Sequence, residues 1–278
     1  MKRIFDDLSF EVSKKTTKAY STSFSLGILA LKPSIRSAIY AIYGYVRLAD
    51  EIVDSFEGYD KKKLLQRLIV ETSSAIEDGI SINPILNSFC ETVRRYQIPN
   101  DLINHFLHSM EMDLVKLEYN SDLYNEYIYG SAEVVGLMCL HVFTEGNKEK
   151  YDTLKPYAMK LGSAFQKVNF LRDMKDDYNI LGRSYFPEVN FSDFSNEAKC
   201  KIEQEIEKEF SIALQGIKKL PASSMFGVYL AYKYYLTLFQ RIKKCSSSQI
   251  LQSRIRIPNS HKAFVALKSY VRYKIAIL

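Results

Sequence analysis

Two stretches of this chain set ionisable side chains at helical spacing. In YGYVRLADEIVD, Tyr43, Arg47, Asp50 and Asp54 fall within an arc of roughly 60° on a helix. One face therefore carries a phenol, a guanidinium and two carboxylates. Carboxylates four residues apart repel each other and weaken an isolated helix. A divalent cation between them removes the conflict, and Mg2+, which keeps waters and accepts phosphate oxygens, suits aspartates that hold a diphosphate. Alone, the same spacing equally describes a solvated acidic edge with Arg47 as an ordinary ion-pair partner.

A second stretch, QKVNFLRDMKDD, weighs against that plainer reading. Gln166, Asn169, Asp173 and Asp177 are spaced three, four and four residues apart and span roughly 80° of a helix, with Arg172 beside them. Leu161, Ala164, Phe165, Val168, Phe170 and Leu171 make the surrounding helix apolar, so these polar groups belong to a buried wall and require partners. Two such stripes facing each other across a bundle can hold two or three Mg2+ ions and the diphosphates they neutralise, with Arg47 and Arg172 on the phosphates. A di-iron bundle site calls for Glu-x-x-His pairs, which the chain lacks. His105 and His108 read as ordinary helix residues.

Two weaker signals accompany them. In AYSTSF, the hydroxyls of Tyr20, Ser21, Thr22 and Ser23 suit either a phosphate or a helix cap. In YIYGSAEVVGLM, Gly130, Ser131, Ala132 and Gly136 permit either tight helix packing or the wall of an apolar pocket, with Tyr129 beside them. Aromatic walls also suit cationic intermediates.

The elements that must position these residues are helices. The 278 residues contain only 11 Gly and 7 Pro, too few turn formers for a many-stranded fold. Periodicity and breakers predict helices over 9–27, 33–56, 60–79, 84–97, 100–119, 122–145, 149–180, 195–219, 222–244 and 259–276. Pro33 and Pro84 fall in first turns, while Gly58, Gly146 and Gly182 mark helix stops. The segment from Gly182 to Asn196 reads as a loop. No composition shift divides the chain, so residues 1–278 read as one all-α domain.

Charge is unevenly distributed. Residues 241–278 hold nine Lys/Arg and no Asp or Glu, leaving 29 basic against 32 acidic residues in the first 240. From Asn259 onward the tail mixes Phe264, Leu267, Val271 and Ile275 with cations, as an interfacial helix does, or as a helix packed on the bundle with a solvated basic face does. Nothing resembles a nucleic-acid module. Four scattered cysteines, no apolar signal-like core and no run of membrane-spanning length point to a cytoplasmic protein, with peripheral membrane contact through the tail left open.

In order, the segments AYSTSF, YGYVRLADEIVD, MEMDL at 110–114, YIYGSAEVVG and QKVNFLRDMKDDYNILGRSYFP resemble the squalene and phytoene synthase family, the head-to-head prenyltransferases of the all-α isoprenoid synthase type. The resemblance, closest to bacterial phytoene synthases, implies Mg2+ (or Mn2+) held by Asp50, Asp54, Asn169, Asp173 and Asp177. It implies substrate contacts from Tyr20, Ser21, Thr22, Ser23, Tyr43, Arg47, Gln166 and Arg172, with Tyr129 and Tyr185 lining the site and Tyr129 and Arg47 joining the aspartates in catalysis. Some relatives carry Lys in place of Thr22, and some a Tyr where this chain has Gln249, ahead of RIRI at 254–257.

The implied reaction condenses two geranylgeranyl diphosphates through a cyclopropyl diphosphate to phytoene, without NADPH. The alternative within the family is dehydrosqualene or squalene synthesis from farnesyl diphosphate. A further alternative is an inactive scaffold, which would be expected to have lost aspartates that are all present here.

Overall fold

A computed structural model describes residues 1–115, 119–177, 185–187 and 194–275. Among these residues every regular element is helical. The helices are α1 (Lys2–Tyr20), α2 (Thr22–Leu29), α3 (Pro33–Asp54), α4 (Lys61–Asp78), α5 (Pro84–Tyr96), α6 (Asn100–Asp113) and α7 (Ser121–Ile128). A π-helical turn (Tyr129–Glu133) leads into α8 (Val134–Phe143), followed by α9 (Lys148–Asp176), α10 (Asn196–Ile217), α11 (Met225–Lys243), α12 (Ser247–Gln252) and α13 (Asn259–Lys274).

Four elements depart from the periodicity, among them the helix expected over 100–119, which ends at Asp113. The helix expected over 9–27 breaks at Ser21, whose extended backbone ends α1 and whose Oγ accepts from the Phe24 N–H to start α2. The helix expected over 122–145 contains the π-helical turn. The short α12, closed by a reciprocal Ser246–Gln249 capping box, falls where no helix was expected. Gly58 and Gly146 take the left-handed backbone expected of helix stops. Gly182 and most of the 182–196 loop lie outside the described residues.

The core is built around α3. Tyr45 points to the rear, fully buried, stacked on Phe89 of α5 at 3.9 Å and hydrogen-bonded to Thr72 of α4 at 3.2 Å. Burying a ring such as Phe89 contributes roughly 1.5–3 kcal/mol. α1 crosses α3 through small hydroxyl residues: a Cβ on Gly44 would meet Ser13 at 2.9 Å, and Ser13 Oγ bonds Ser88 Oγ of α5 at 2.8 Å. With its rear fixed against α1, α4 and α5, α3 turns the Tyr43–Arg47–Asp50–Asp54 face inward to a cavity.

The opposite wall is α9, fixed from behind by a buried ionic cluster. Lys167 Nζ donates to Glu209 of α10 at 2.9 Å and also pairs with Glu205, while Ser163 Oγ donates to Glu209 at 2.9 Å. α8 packs against both α3 and α9 and closes the cavity between them. Among the described residues no helix is long and apolar enough to cross a membrane.

Candidate active site

The cavity encloses about 780 Å³. At its polar end α3 contributes Tyr43, Arg47, Asp50 and Asp54, and the end of α9 contributes Gln166, Asn169, Arg172, Asp173 and Asp177. Tyr20, Ser21 and Tyr185 also line it. Beyond them the wall is apolar, formed by Phe24, Ile28, Val135, Leu161, Phe165 and Val228 among others.

Each charged group is held. The Arg47 guanidinium lies 4.3 Å over the Tyr20 ring, pairs with Glu51 and stands 3.9 Å from Asp50. Its Nε is buried without a hydrogen-bond partner, an orphan donor that an entering anion would satisfy. Burial pushes the Asp50 carboxyl up to about 7, with the charges of Asp54 and Asp113 adding to the effect and Arg47 opposing it. Burial also pushes the Tyr43 phenol up to about 12. Burial works against the charge of Arg172, but its hydrogen bonds to Asp173, one of them 2.9 Å from Nε, hold it protonated. Asp173 takes a second guanidinium, from Arg254 at 2.8 Å. Tyr235 donates to Asn169 Oδ1 at 3.2 Å and stacks on Phe165 at 3.9 Å.

Three expected site residues stand elsewhere. Thr22 is exposed and accepts from Lys262 of α13, and Ser23 lies in the first turn of α2 off the cavity wall. The break at Ser21 turns α2 so that Phe24, not these hydroxyls, enters the cavity. Tyr129 packs edge-on against His105 of α6, ring centres 5.0 Å apart, and does not line the cavity. The lining residues here include Tyr127, Ser131, Val135, Cys139 and Phe143, in steps of four, with Ala132, Gly136 and Leu140 beside them. In a pure α-helix such steps drift by about 40° each, and the wider π-helical turn resets the phase. Tyr129 falls on the other side. Gly130 packs tightly, since a Cβ there would meet the His105 carbonyl oxygen at 2.6 Å, whereas Gly136 both lines the cavity and abuts Ala158.

Other lining residues carry signals that sequence reasoning passed over. Asp113, in MEMDL, accepts from the Tyr127 hydroxyl at 2.8 Å and from Tyr185 at 3.2 Å. Asp176 adjoins the α9 stripe one residue out of phase, and Arg254 opens RIRI. Tyr235 lay in an aromatic run that gave no hint of its direction.

Six aspartates and three arginines thus share one cavity lining. Among the described residues no three His, Cys, Asp or Glu side chains converge closely enough to hold a metal ion by themselves. The donors form two open, all-oxygen stripes rather than a closed cage, a set that fits Mg2+ with water and substrate phosphate completing its shell.

Known proteins resemble this chain in sequence and in fold. The squalene/phytoene synthase family profile matches residues 17–261. Phytoene synthase 1 of Arabidopsis thaliana is 30% identical over 246 residues, covering 81% of this chain and 57% of that protein, so the match spans little more than half of that relative. The 4,4'-diapophytoene synthase of Staphylococcus haemolyticus is 23% identical over 96% of this chain and 98% of its own. A crystal structure of a dehydrosqualene synthase superposes with a TM-score of 0.83 over 97% of this chain and 98% of that one, at 19% identity, a likeness of fold. With its family profile matched over nearly the whole length and its fold shared, the chain belongs to the squalene/phytoene synthase family.

Proposed function

We propose that the chain is a Mg2+-dependent prenyltransferase, a phytoene synthase that joins two geranylgeranyl diphosphates head to head and ends in proton loss without NADPH. The observation that carries this reading is the cavity itself: two acidic helix faces and an orphan arginine donor at one end, continuous with an apolar interior suited to prenyl chains. The Arabidopsis relative supports the longer substrate.

Asp50, Asp54, Asn169, Asp173 and Asp177 would hold the metal, which when bound withdraws charge from a diphosphate leaving group. Arg47 and Arg172, oriented by Glu51 and Asp173, reach the phosphate oxygens. Gln166 orients Asn169, whose amide stands 3.4 Å from its Oε1. Phe24, Tyr43, Phe165 and Tyr235 form an aromatic cluster that attracts the allylic cation left after ionisation. The apolar walls exclude water that would quench it. The second substrate's double bond captures the cation, proton loss gives a cyclopropylcarbinyl diphosphate, and a second ionisation, rearrangement and final proton loss yield the linear hydrocarbon.

A second reading has the same machinery act on farnesyl diphosphate, as supported by the diapophytoene synthase that matches from end to end. Parallel incubations of the protein with Mg2+ and either diphosphate, without NADPH, separate the two. A C40 hydrocarbon from the C20 substrate is expected; a C30 hydrocarbon from the C15 substrate alone would replace the first reading with the second.

A further inference from the structure

The apolar end of the cavity closes on a tyrosine. Along α9 the lining runs from the carboxylates back through Phe165, Leu161 and Ala158 to Tyr157, and its first residue is Leu154. α10 runs antiparallel beside it, since Lys167 pairs with Glu209 while Tyr157 lies against Gly216. The row that α10 contributes ends at Leu220, just past the helix. Leu154, Tyr157 and Leu220 therefore form the floor. Leu154 and Leu220 are buried, whereas Tyr157 is half-buried and stands between the apolar interior and solvent.

The ring is held from two sides. Gly216 provides its seat: a Cβ there would stand 2.2 Å from Tyr157 Cβ and 2.6 Å from Cγ, an approach that only glycine permits. Lys219, exposed just past α10, donates to the Tyr157 hydroxyl at 3.1 Å and sets its Nζ 4.7 Å from the ring centre. A half-exposed tyrosine would otherwise be free to swing outward.

The position of this ring measures the cavity. Tyr157 lies sixteen residues before Asp173, about 24 Å along the helix axis. An extended geranylgeranyl chain, with sixteen main-chain carbons, measures roughly 20 Å at C–C bonds near 1.5 Å, and a farnesyl chain, with twelve, roughly 15 Å. With the diphosphate at the carboxylates, the longer chain ends against Tyr157. The shorter one stops about one helical turn away, and a chain one isoprene unit longer than C20 would have to push the ring off its seat.

We propose that Tyr157, seated on Gly216 and clasped by Lys219, is the end stop that sets prenyl chain length, admitting a C20 chain and rejecting a longer one. This rests on the prenyltransferase reading above and adds the residue that measures the substrate.

Prenyl S-thiolodiphosphates, in which sulfur replaces the oxygen on C1, ionise poorly, so that chain-length preference can be read as affinity without turnover. In calorimetric titrations with Mg2+, the wild type is expected to bind the C20 analogue at least about tenfold more tightly than the C25 analogue. Tyr157→Ala is expected to remove most of that difference, Tyr157→Phe to keep it, and Lys219→Met to fall between. Ala213→Phe sets a ring on the cavity wall three residues before Gly216, about 4.5 Å nearer the carboxylates, and is expected to turn the preference toward the C15 analogue by about tenfold. A general loss of binding leaves these ratios unmoved, so they report the stop and not the integrity of the fold. Equal wild-type affinity for the C20 and C25 analogues, or a ratio unchanged in Tyr157→Ala, would overturn the proposal. Failure of the reaction reading shows separately, as no hydrocarbon from the natural diphosphates, and the affinity ratios still decide the stop.

Discussion

Asp50 concentrates the electrostatic tension of the cavity. Its pKa is raised from the ordinary 3.8 to about 7 by burial, with Asp54 and Asp113 adding like charge. In the metal-free protein the protonated form therefore favours the folded chain. That contribution is complete below about pH 3.8 and is lost as pH rises through 7. Scanning calorimetry in chelator should show Asp50→Asn protecting the chain most near pH 8, less at pH 5 and scarcely below pH 3.8; an equal effect at all three would refute the assigned charge crowding. Added Mg2+ with inorganic pyrophosphate should raise the wild-type midpoint more than either alone, and the gain should disappear in Asp50→Asn and Asp173→Asn. In turnover both substitutions should lose at least about a hundredfold with unchanged circular dichroism. Residues of this kind were legible in the sequence because two carboxylates a helical turn apart, twice over, are hard to explain by stability alone. Asp113 was not, since its meaning comes from Tyr127 and Tyr185, 14 and 72 residues away.

Helices 10 to 30 residues long declared themselves through few breakers and sustained periodicity, and most of their ends fall within a few residues of the sequence pattern. The phase within them was less legible. One π-helical turn suffices to exchange Tyr129 for Tyr127 at the cavity wall, and one extended residue at Ser21 carries Thr22 and Ser23 away from it. Neither irregularity changes hydrophobicity, so periodicity is blind to both. The tight approach of the π-helical turn to α6 is testable: Gly130→Ala would force a Cβ to 2.6 Å from the His105 carbonyl oxygen and 2.8 Å from Ser109 Cβ. Denaturant unfolding should show a loss of about 1–3 kcal/mol. On α9, Lys167→Met should be destabilising by about 3 kcal/mol, because Glu209 would remain buried with less compensation. No loss in either variant would mean that these contacts do not fix the two walls.

At the scale of the whole molecule, the chain separates its charges: a mildly acidic body encloses the carboxylate cavity, and a basic tail supplies Arg254 to Asp173 and packs α13 on the bundle. Each acidic stripe alone reads equally well as a solvated helix face. Their meeting in one lining, continuous with an apolar interior, is what makes a two-substrate condensation the best-supported chemistry. That claim bears directly on stoichiometry. With Mg2+ and geranylgeranyl diphosphate, pyrophosphate release counted against hydrocarbon formed should give two pyrophosphates per C40 molecule and nothing without the metal. One pyrophosphate released per prenyl alcohol, with no hydrocarbon from either chain length, would contradict it.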